Sequence, residues 1–365
     1  MSRPVLYLAI TNHGFGHAVR MASIASQVQK LNPNILLVLV TTAPRWLLES
    51  YIDGDFLYRY RAFDVGVIQS DSLTMDLVAT KEKMIEYRFR EMEIVKGEVE
   101  FITMNQVGLI VADIPAMAAT IGEKAGIPCW MMSNFGWDFI YRAWGGEFNS
   151  IADWLSSRYQ LCQRLFRLPL AEEMRSFPVI EDVGLTGGIP RYDESHLREK
   201  FNLMVETEKT VLLTFGGLGI EAIPYENLSC FPDWQFITFA KNAPDLPNLI
   251  KINDNLYRPV DLMPLCGKVV SKPGFSTFAE SMRLDIPLIS LTRKGFAEAE
   301  ILLQGLKNYS FHNIVNYQDF FEGNWDFLKA ELSPPQSNDK ILKNGTETIA
   351  QEIVNFFSNS IFSKS

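Results

Sequence analysis

Short, uninterrupted apolar runs alternate with amphipathic stretches along this chain of 365 residues. Apolar runs of this kind, without polar alternation, are typical of strands buried on both faces of a parallel sheet. The predicted strands are residues 5–10, 35–40, 108–112, 128–132, 211–215, 268–271 and 286–291. Helical periodicity between them predicts helices at residues 17–31, 80–103, 115–125, 277–284 and 297–306. Alternating strands and helices predict a doubly wound α/β fold.

The pattern begins twice. A strand runs into a glycine-rich turn at residues 5–16, and the same arrangement returns at residues 211–219. Proline, glycine and charged residues between them, at 177–200, are typical of a linker. We therefore predict two Rossmann-like domains, at residues 1–185 and 195–335. In the tail, residues 336–365, apolar positions at helical spacing predict a final amphipathic helix.

Composition then excludes several classes of protein. The chain has 34 Lys+Arg and 43 Asp+Glu, and the resulting net charge of −9 opposes binding to a nucleic-acid backbone. Its longest apolar run, residues 35–40, is far shorter than the ~20 residues that cross a bilayer. A peripheral membrane contact stays open. No signal peptide is recognisable, and the 4 scattered cysteines fit free thiols, so we expect a cytoplasmic protein.

The first glycine-rich turn reads Thr-Asn-His-Gly-Phe-Gly-His-Ala-Val-Arg over residues 11–20. Gly14 and Gly16 allow backbone N–H groups to approach a ligand at a helix N-terminus, where the helix dipole favours anions. The turn is not the dinucleotide-binding fingerprint, because Val19 stands where that motif has its third glycine.

Two of the chain's 4 histidines, His13 and His17, flank this turn. A helix N-terminus favours the neutral imidazole, which is the form a general base requires. Both residues are therefore candidate catalytic bases, although each would equally serve to hydrogen-bond a loop carbonyl. Arg20, one helical turn further on, is expected to be a surface or structural charge.

Polar residues next to two other predicted strands complete the candidate site of the N-terminal domain. Asp113 ends a buried strand at the carboxyl edge of the sheet, where doubly wound folds gather functional groups. It would also serve as N-cap of the helix that Pro115 begins. Asn134 and Asp138 lie in an aromatic-rich segment that suits a sugar or another acceptor, and polar groups among aromatics need partners.

The C-terminal domain contains a second candidate turn, Val-Ser-Lys-Pro-Gly-Phe-Ser-Thr-Phe-Ala-Glu, at residues 270–280. A helix that begins near Ser276 or Thr277 would hold a diphosphate on its free N–H groups without a metal ion. Glu280, expected on the first helical turn, would accept hydrogen bonds from ribose hydroxyls. The spacing of Thr277 and Glu280 fits a capping box equally well.

The segment Pro-Gly-Phe-Ser-Thr-Phe-Ala-Glu, followed by Asp-Ile-Pro-Leu-Ile, resembles the nucleotide-sugar half of GT-B glycosyltransferases of the MurG type. The blocks Asn-His-Gly-Phe-Gly-His-Ala-Val-Arg, Val-Ala-Asp-Ile-Pro and Ser-Asn-Phe-Gly-Trp-Asp-Phe-Ile-Tyr are similar to the N-terminal, glycosyltransferase-like domain of plant L-arabinokinases. This resemblance implies a GT-B fold: two Rossmann-like domains that face each other across a cleft, with the C-terminal helix returning to the first. Kinase activity is not implied, because no kinase phosphate loop is recognisable.

In GT-B enzymes the C-terminal domain binds the nucleotide-sugar donor, the N-terminal domain presents the acceptor, and no metal ion or other cofactor takes part. His17 matches the histidine that faces the reaction centre. The matching donor positions are Gly216 and Gly217 in the glycine-rich loop, Ser276 and Thr277 in the diphosphate turn, and Glu280 at the ribose. Lys272 and Gly274 lie in the same turn and are added to the expected donor site. Glu298 lies where the family contacts the donor sugar, but the usual Asp-Gln or Glu-Gln pair is absent.

The leading hypothesis is therefore a metal-independent, inverting transfer from a UDP-sugar to an acceptor hydroxyl. Either His17 or Asp113 would be the base, and Lys272 would stabilise the leaving diphosphate. A nucleotide-sugar 2-epimerase and a non-catalytic nucleotide or sugar sensor on the same fold are the alternatives.

Overall fold

A computed structural model describes residues 3–69, 73–217, 219–220 and 223–362. The strands are β1 (Val5–Ile10), β2 (Leu36–Thr41), β3 (Leu57–Tyr60), β4 (Val107–Asp113), β5 (Cys129–Ser133), β6 (Arg164–Arg167), β7 (Ile180–Asp182), β8 (Thr210–Thr214), β9 (Gln235–Thr238), β10 (Leu249–Lys251), β11 (Lys268–Ser271), β12 (Leu288–Leu291) and β13 (His312–Val315). The helices are α1 (Gly16–Leu31), α2 (Arg45–Glu49), α3 (Leu77–Phe89), α4 (Glu91–Met104), α5 (Met117–Ala125), α6 (Trp137–Trp144), α7 (Phe148–Tyr159), α8 (Glu194–Lys200), α9 (Pro259–Leu262), α10 (Phe275–Arg283), α11 (Ala297–Tyr309), α12 (Tyr317–Phe321) and α13 (Gly345–Phe362).

The chain forms two compact units, each built on one parallel sheet. Over the described residues, unit 1 comprises Met1–Ser70, Met75–Gly187 and Leu342–Ser365, and unit 2 comprises Asp71–Thr74 and Gly188–Ile341. The sheet of unit 1 has the order β3-β2-β1-β4-β5-β6-β7, and that of unit 2 has the order β10-β9-β8-β11-β12-β13. Every pairing between these strands is parallel, which confirms the predicted doubly wound α/β class.

In unit 1 the central strand, β1, is buried along its whole length. It pairs with β2 on one side and with β4 on the other, and the last residue of β1, Ile10, lies opposite Asp113. The backbone N–H of Thr11 then donates to the carbonyl of Asp113 at 2.8 Å. The glycine-rich turn therefore starts beside the end of β4.

The C-terminal helix α13 packs on α1 and so belongs to unit 1, which confirms the predicted return to the N-terminal half. The chain enters α13 through a very close backbone contact, since a β-carbon on Gly345 would lie 1.9 Å from the carbonyl oxygen of Gly184. Two backbone hydrogen bonds fix this crossing. The N–H of Leu185 donates to the carbonyl of Leu342 at 2.8 Å, and the N–H of Gly345 donates to the carbonyl of Leu185 at 3.0 Å. No residue larger than glycine fits position 345 without moving the backbone.

In unit 2 the strand β11 lies between β8 and β12, with Ser271 opposite Thr214 and Ser290. The segments that follow β8 and β11 therefore leave the same edge of the sheet side by side. A hydrophobic core that includes Phe236, Phe320 and Trp325 packs against this sheet. This core fixes the strands that carry the second candidate site.

The structure corrects three predicted helix boundaries. The single helix predicted at residues 80–103 is two helices, α3 and α4, because the backbone at Arg90 (φ −91°, ψ 1°) leaves the helical region. The helix expected from Pro115 begins at Met117, and the helix expected near Ser276 or Thr277 begins at Phe275. Among the described helices, none has both the length and the apolar character that a membrane span requires.

Candidate active site

The imidazole of His17 and the carboxylate of Asp113 form a buried pair in unit 1. His17 is the second residue of α1, and its Nδ1 lies 2.9 Å from Oδ1 of Asp113. The turn before α1 depends on Gly14, whose φ of +69° is strained for any residue with a side chain. That turn brings the first residues of α1 back over the end of β4.

Arg20 binds the same carboxylate from one turn further along α1. Its Nε and Nη2 lie 2.5 and 2.6 Å from the two oxygens of Asp113, and its Nη1 donates to Oδ1 of Asn134 at 2.8 Å. Such a bidentate arginine–carboxylate pair is among the strongest polar contacts in proteins. Arg20 is only 1% exposed, so the surface placement considered for it is wrong, and its charge is structural.

The electrostatics of this cluster favour an orienting role for Asp113. Burial alone would raise the pKa of the Asp113 carboxyl, but the charges and hydrogen bonds of Arg20 and His17 outweigh burial and lower it. Nδ1 of His17 also lies 2.9 Å from Nη2 of Arg20, so the ring donates to the carboxylate only when Nδ1 carries its proton, the tautomer that leaves the Nε2 lone pair available. Asp113 is not the N-cap of α5, because the N-cap is Ala116 and the helix begins at Met117, four residues beyond the end of β4.

A second buried carboxylate, that of Asp64, lies close to the same turn. The indole Nε1 of Trp137 donates to Oδ2 of Asp64 at 3.0 Å. Burial raises the pKa of the Asp64 carboxyl, although Thr11 and the charge of His17 act in the opposite direction. Sequence patterns did not identify Asp64, because it lies in the irregular segment after β3 and only the fold brings it to the turn.

His13 contacts the segment that carries Asp64. Its Nδ1 accepts the backbone N–H of Val67 at 3.4 Å, and its ring meets the edge of Trp137 with centroids 5.1 Å apart. A β-carbon on Gly66, which has φ +63°, would lie 2.8 Å from Cβ of His13. These contacts fit a packing role, and a catalytic role for His13 stays a prediction.

The two residues predicted on the acceptor side have different surroundings. Asn134 is fully buried, and its Oδ1 accepts the hydrogen bond from Nη1 of Arg20. Asp138, in the first turn of α6, accepts a hydrogen bond from Ser156 of α7 at 2.8 Å and another from Ser176. Asp138 thus ties α6 to neighbouring elements of unit 1, and contact of either residue with an acceptor stays a prediction.

In unit 2 the two predicted donor segments meet around Lys272. A β-carbon on Gly216, where φ is +80°, would lie 3.4 Å from Cε of Lys272. A β-carbon on Gly274 would lie 4.0 Å from Nζ of the same lysine. Gly217, the residue after Gly216, is exposed. The lysine side chain therefore extends between the glycine-rich turn after β8 and the start of α10.

The first residues of α10 form the predicted anion-binding turn. The N-cap is Gly274, with no side-chain capping hydrogen bond, and Ser276 and Thr277 are the second and third residues of the helix. The first turn of a helix is its positive end, and this end favours an anion. Because the helix begins at Phe275, the alternative capping box of Thr277 and Glu280 does not form.

Glu280 is the sixth residue of α10 rather than part of its first turn, which corrects its predicted position. The side chain is buried, and its Oε1 accepts the backbone N–H of Gly188 at 2.9 Å. This hydrogen bond joins α10 to Gly188, the residue at which the main segment of unit 2 begins. Contact of Glu280 with a ribose stays a prediction.

Lys272 shares its surroundings with two further charged side chains, Arg293 and Glu298. Burial and the charge of Arg293 lower the pKa of Lys272 to about 8, and the charge of Glu298 partly opposes them. Glu298, in the first turn of α11, is itself buried. Arg293 is 7% exposed, with its guanidinium carbon 4.1 Å from the centroid of the Phe296 ring. Sequence reasoning missed Arg293, although a basic residue just after a strand at the carboxyl edge was an available signal.

Two parallel-sheet units with this strand order, each with a glycine-rich turn after a central strand, define the GT-B fold. No family model matches the chain. The chain is 28% identical over 324 residues to an L-arabinokinase from Arabidopsis thaliana, a similarity that covers 87% of this chain. The chain spans only 31% of that relative's length. The resemblance stated from the sequence blocks is confirmed.

Solved structures share the fold at low sequence identity. The calicheamicin glycosyltransferase CalG4 matches with a TM-score of 0.64 and 13% identity, over 99% of this chain and 100% of its own. UGT2 from Phytolacca americana, solved with UDP-2-fluoro-glucose and pterostilbene, matches with a TM-score of 0.61 and 13% identity, over 98% and 94% of the two chains. A putative UDP-N-acetylglucosamine 2-epimerase from Listeria monocytogenes matches with a TM-score of 0.59 and 11% identity, over 98% of each chain. The GT-B fold is thus shown.

Proposed function

We propose that this protein is an inverting glycosyltransferase that moves a sugar from a UDP-sugar to an acceptor hydroxyl without a metal ion. The observation that carries the proposal is the His17–Asp113 pair at the N-terminus of α1, on a fold that glycosyltransferases share. Unit 1 supplies the base, and unit 2 supplies the donor site around Lys272 and the start of α10.

The chemistry follows from these two groups of residues. Nε2 of His17 takes the proton of the acceptor hydroxyl while the hydroxyl oxygen attacks the anomeric carbon of the donor sugar. The bond from that carbon to the diphosphate oxygen breaks, and the diphosphate leaves with the electron pair. Attack from the opposite face inverts the anomeric carbon. A positioned base contributes ~10²–10⁴-fold to the rate.

Positive groups of unit 2 support departure of the diphosphate. Lys272 lies between the Gly216 turn and Gly274, and the start of α10 adds the positive end of a helix dipole. Preorganised charges of this kind stabilise a leaving anion as strongly as a base assists the attack. Glu280 is assigned to the ribose hydroxyls and Glu298 to the donor sugar, as the resemblance implies.

The test is product formation from labelled UDP-hexoses and UDP-pentoses with a panel of hydroxyl acceptors, including sugars and phenols. We expect a labelled acceptor and one equivalent of free UDP, both unchanged by EDTA. His17→Ala should abolish both signals, whereas His196→Ala, at an exposed histidine of unit 2, should keep them. Tight UDP binding without turnover of any donor would instead support the sensor.

One observation favours a second candidate, the nucleotide-sugar 2-epimerase. The carboxyl of Asp64 is a further acid–base group close enough to His17 for their charges to interact. The same assay separates the candidates, because an epimerase converts the labelled UDP-sugar to its C2 epimer when no acceptor is present. Loss of that conversion in Asp64→Asn would then assign the reaction to this pair of residues.

A further inference from the structure

A groove of about 610 Å³ in unit 1 has mostly apolar walls. It runs between α3 and the start of α4 on one side and α7 on the other. Phe89 and Met92 are 93% and 85% exposed, so part of its apolar surface faces water. Small-molecule sites are typically cavities of roughly 300–1,000 Å³ with predominantly apolar walls, and this groove fits that class. The apolar side chains that line it are Met84, Ile85, Phe89, Met92, Ile151 and Trp154.

Two ion pairs join the walls of this groove. Lys81, early in α3, lies 2.5 Å from the carboxylate of Glu147, the N-cap of α7. Arg158, late in α7, donates from Nε and Nη2 to the two oxygens of Glu91, the first residue of α4, at 2.7 and 3.0 Å. The groove therefore has an ion pair at each end, and both of its carboxylates are paired.

The charges of the lining leave one cation over. Three cations, Lys81, Arg88 and Arg158, face two carboxylates, and among the residues that the structure describes Arg88 takes part in no ion pair. Its guanidinium carbon lies 5.7 Å from the centroid of the Trp154 ring, which places the charge beside the apolar wall. A guanidinium offers a carboxylate two parallel N–H donors. The groove thus combines an apolar trough with one cation that an anion can reach.

The surrounding charges do not suit a membrane surface. Anionic membranes are bound by clusters of about 4–8 cations. Over residues 81–93, the four cations are matched by four carboxylates, so this stretch has no net charge. These residues are Lys81, Lys83, Arg88 and Arg90 on one side and Glu82, Glu86, Glu91 and Glu93 on the other.

We propose that the groove between α3 and α7 binds a free amphiphilic anion, a molecule with an apolar chain and one terminal carboxylate. The carboxylate pairs with Arg88, and the chain lies along the apolar wall and covers Phe89 and Met92. No residue of this groove belongs to the candidate active site of unit 1 or to the donor turn of unit 2. The proposal is therefore independent of the proposed transfer reaction.

The experiment is isothermal titration calorimetry of the full chain with octanoate, decanoate, octanol and octylammonium, each below the concentration at which it forms micelles. Burial of a methylene tightens binding about fourfold, so decanoate should bind about 5–15-fold more tightly than octanoate. Octanoate should bind about two- to fivefold more tightly than octanol, the strength of an exposed ion pair. Octylammonium should bind more weakly than octanol, because Arg88 repels it.

Two pairs of variants separate the head of the ligand from its chain. Arg88→Gln should reduce the affinity for octanoate to that for octanol and keep the gain from octanoate to decanoate. Arg90→Gln is the matched control, because Arg90 is exposed, is paired with Glu93 at 3.3 Å and does not line the groove, so it should leave the affinity unchanged. Ile85→Asp places a charge in the apolar wall and should weaken decanoate binding about tenfold or more. Val78→Asp, at another exposed apolar residue of α3 outside the groove, should leave it unchanged.

Thermal melts of each variant show whether it is folded. If octanoate, octanol and octylammonium bind equally, or if folded Arg88→Gln and Arg90→Gln behave alike, the assignment of an anion to Arg88 is wrong. If no ligand binds below its micelle concentration, the groove is not a site for an amphiphile. Sedimentation of the chain with phospholipid vesicles, without binding of free decanoate, would make this surface a membrane contact and overturn the proposal.

Discussion

The Nδ1 atom of His17 and the Oδ1 atom of Asp113 lie 2.9 Å apart, and Arg20 donates a hydrogen bond to each oxygen of the same carboxylate. Asp113 therefore stays ionised although it is fully buried, since the cation lowers the pKa that burial would raise. In the reaction proposed above, an aspartate held in this way would orient the imidazole, and His17 would remove the proton.

Replacement of His17 by alanine should cut turnover by ~10²-fold or more and leave UDP affinity within about twofold, because the base acts on the acceptor. The measurement pairs initial rates with calorimetric UDP binding. If His17→Ala keeps wild-type turnover while Asp113→Asn abolishes it, the base is Asp113 and the orienting role argued above is wrong.

Replacement of Arg20 by methionine should lower the free energy of unfolding by about 3–5 kcal/mol, because it leaves the Asp113 carboxylate buried without its cation. Denaturant unfolding followed by tryptophan fluorescence measures the change. Arg175→Ala, at an exposed arginine of the same unit, should cost less than about 0.5 kcal/mol. Equal losses in both variants would mean that the pairing with Asp113 contributes nothing specific.

UDP should stabilise the chain, with a gain of about 2.7 kcal/mol at 100 times its Kd. Thermal melts with millimolar UDP, with and without EDTA, measure this gain. Glu280→Gln should reduce the shift, whereas Glu300→Gln, at an exposed position of α11, should keep it. A shift that disappears with EDTA would contradict the metal-free proposal, and the absence of any shift with UDP, GDP or dTDP would contradict the nucleotide site.

The affinity for UDP should fall as pH rises from 7 to 9. Burial, and after it the charge of Arg293, lower the pKa of Lys272 to about 8 against the opposing charge of Glu298. The protonated lysine binds the diphosphate, so its contribution is present below pH 8 and lost as pH rises through that value. Lys272→Arg keeps its proton throughout this range and should give a flatter profile. An equally steep profile in this variant would assign the effect to another group.

Sequence reasoning identified the parts of these sites that lie next to strands and glycine-rich turns. Gly14 and Gly216 indicated the two turns because positive φ angles select glycine, and Asp113 was recognised at the end of an apolar run. For Arg20 the sequence left a surface and a structural charge open, because its position shows a helix but not the carboxylate that allows an arginine to be buried. Asp64 lies in an irregular segment, so only the folded chain shows its approach to His17.

The close crossing of Gly184 and Gly345 has a consequence for how the protein can be divided. Because Leu342–Ser365 completes unit 1, the segment Gly188–Ile341 is an insertion into unit 1 in terms of chain order. A chain cut near residue 187 yields an N-terminal fragment that lacks α13, the helix packed on α1. Deletion of the insertion, with a short glycine linker that joins residue 187 to residue 342, instead keeps every strand and helix of unit 1. Any evolutionary shuffling of the two halves would likewise have to exchange the insertion at two breakpoints rather than at one.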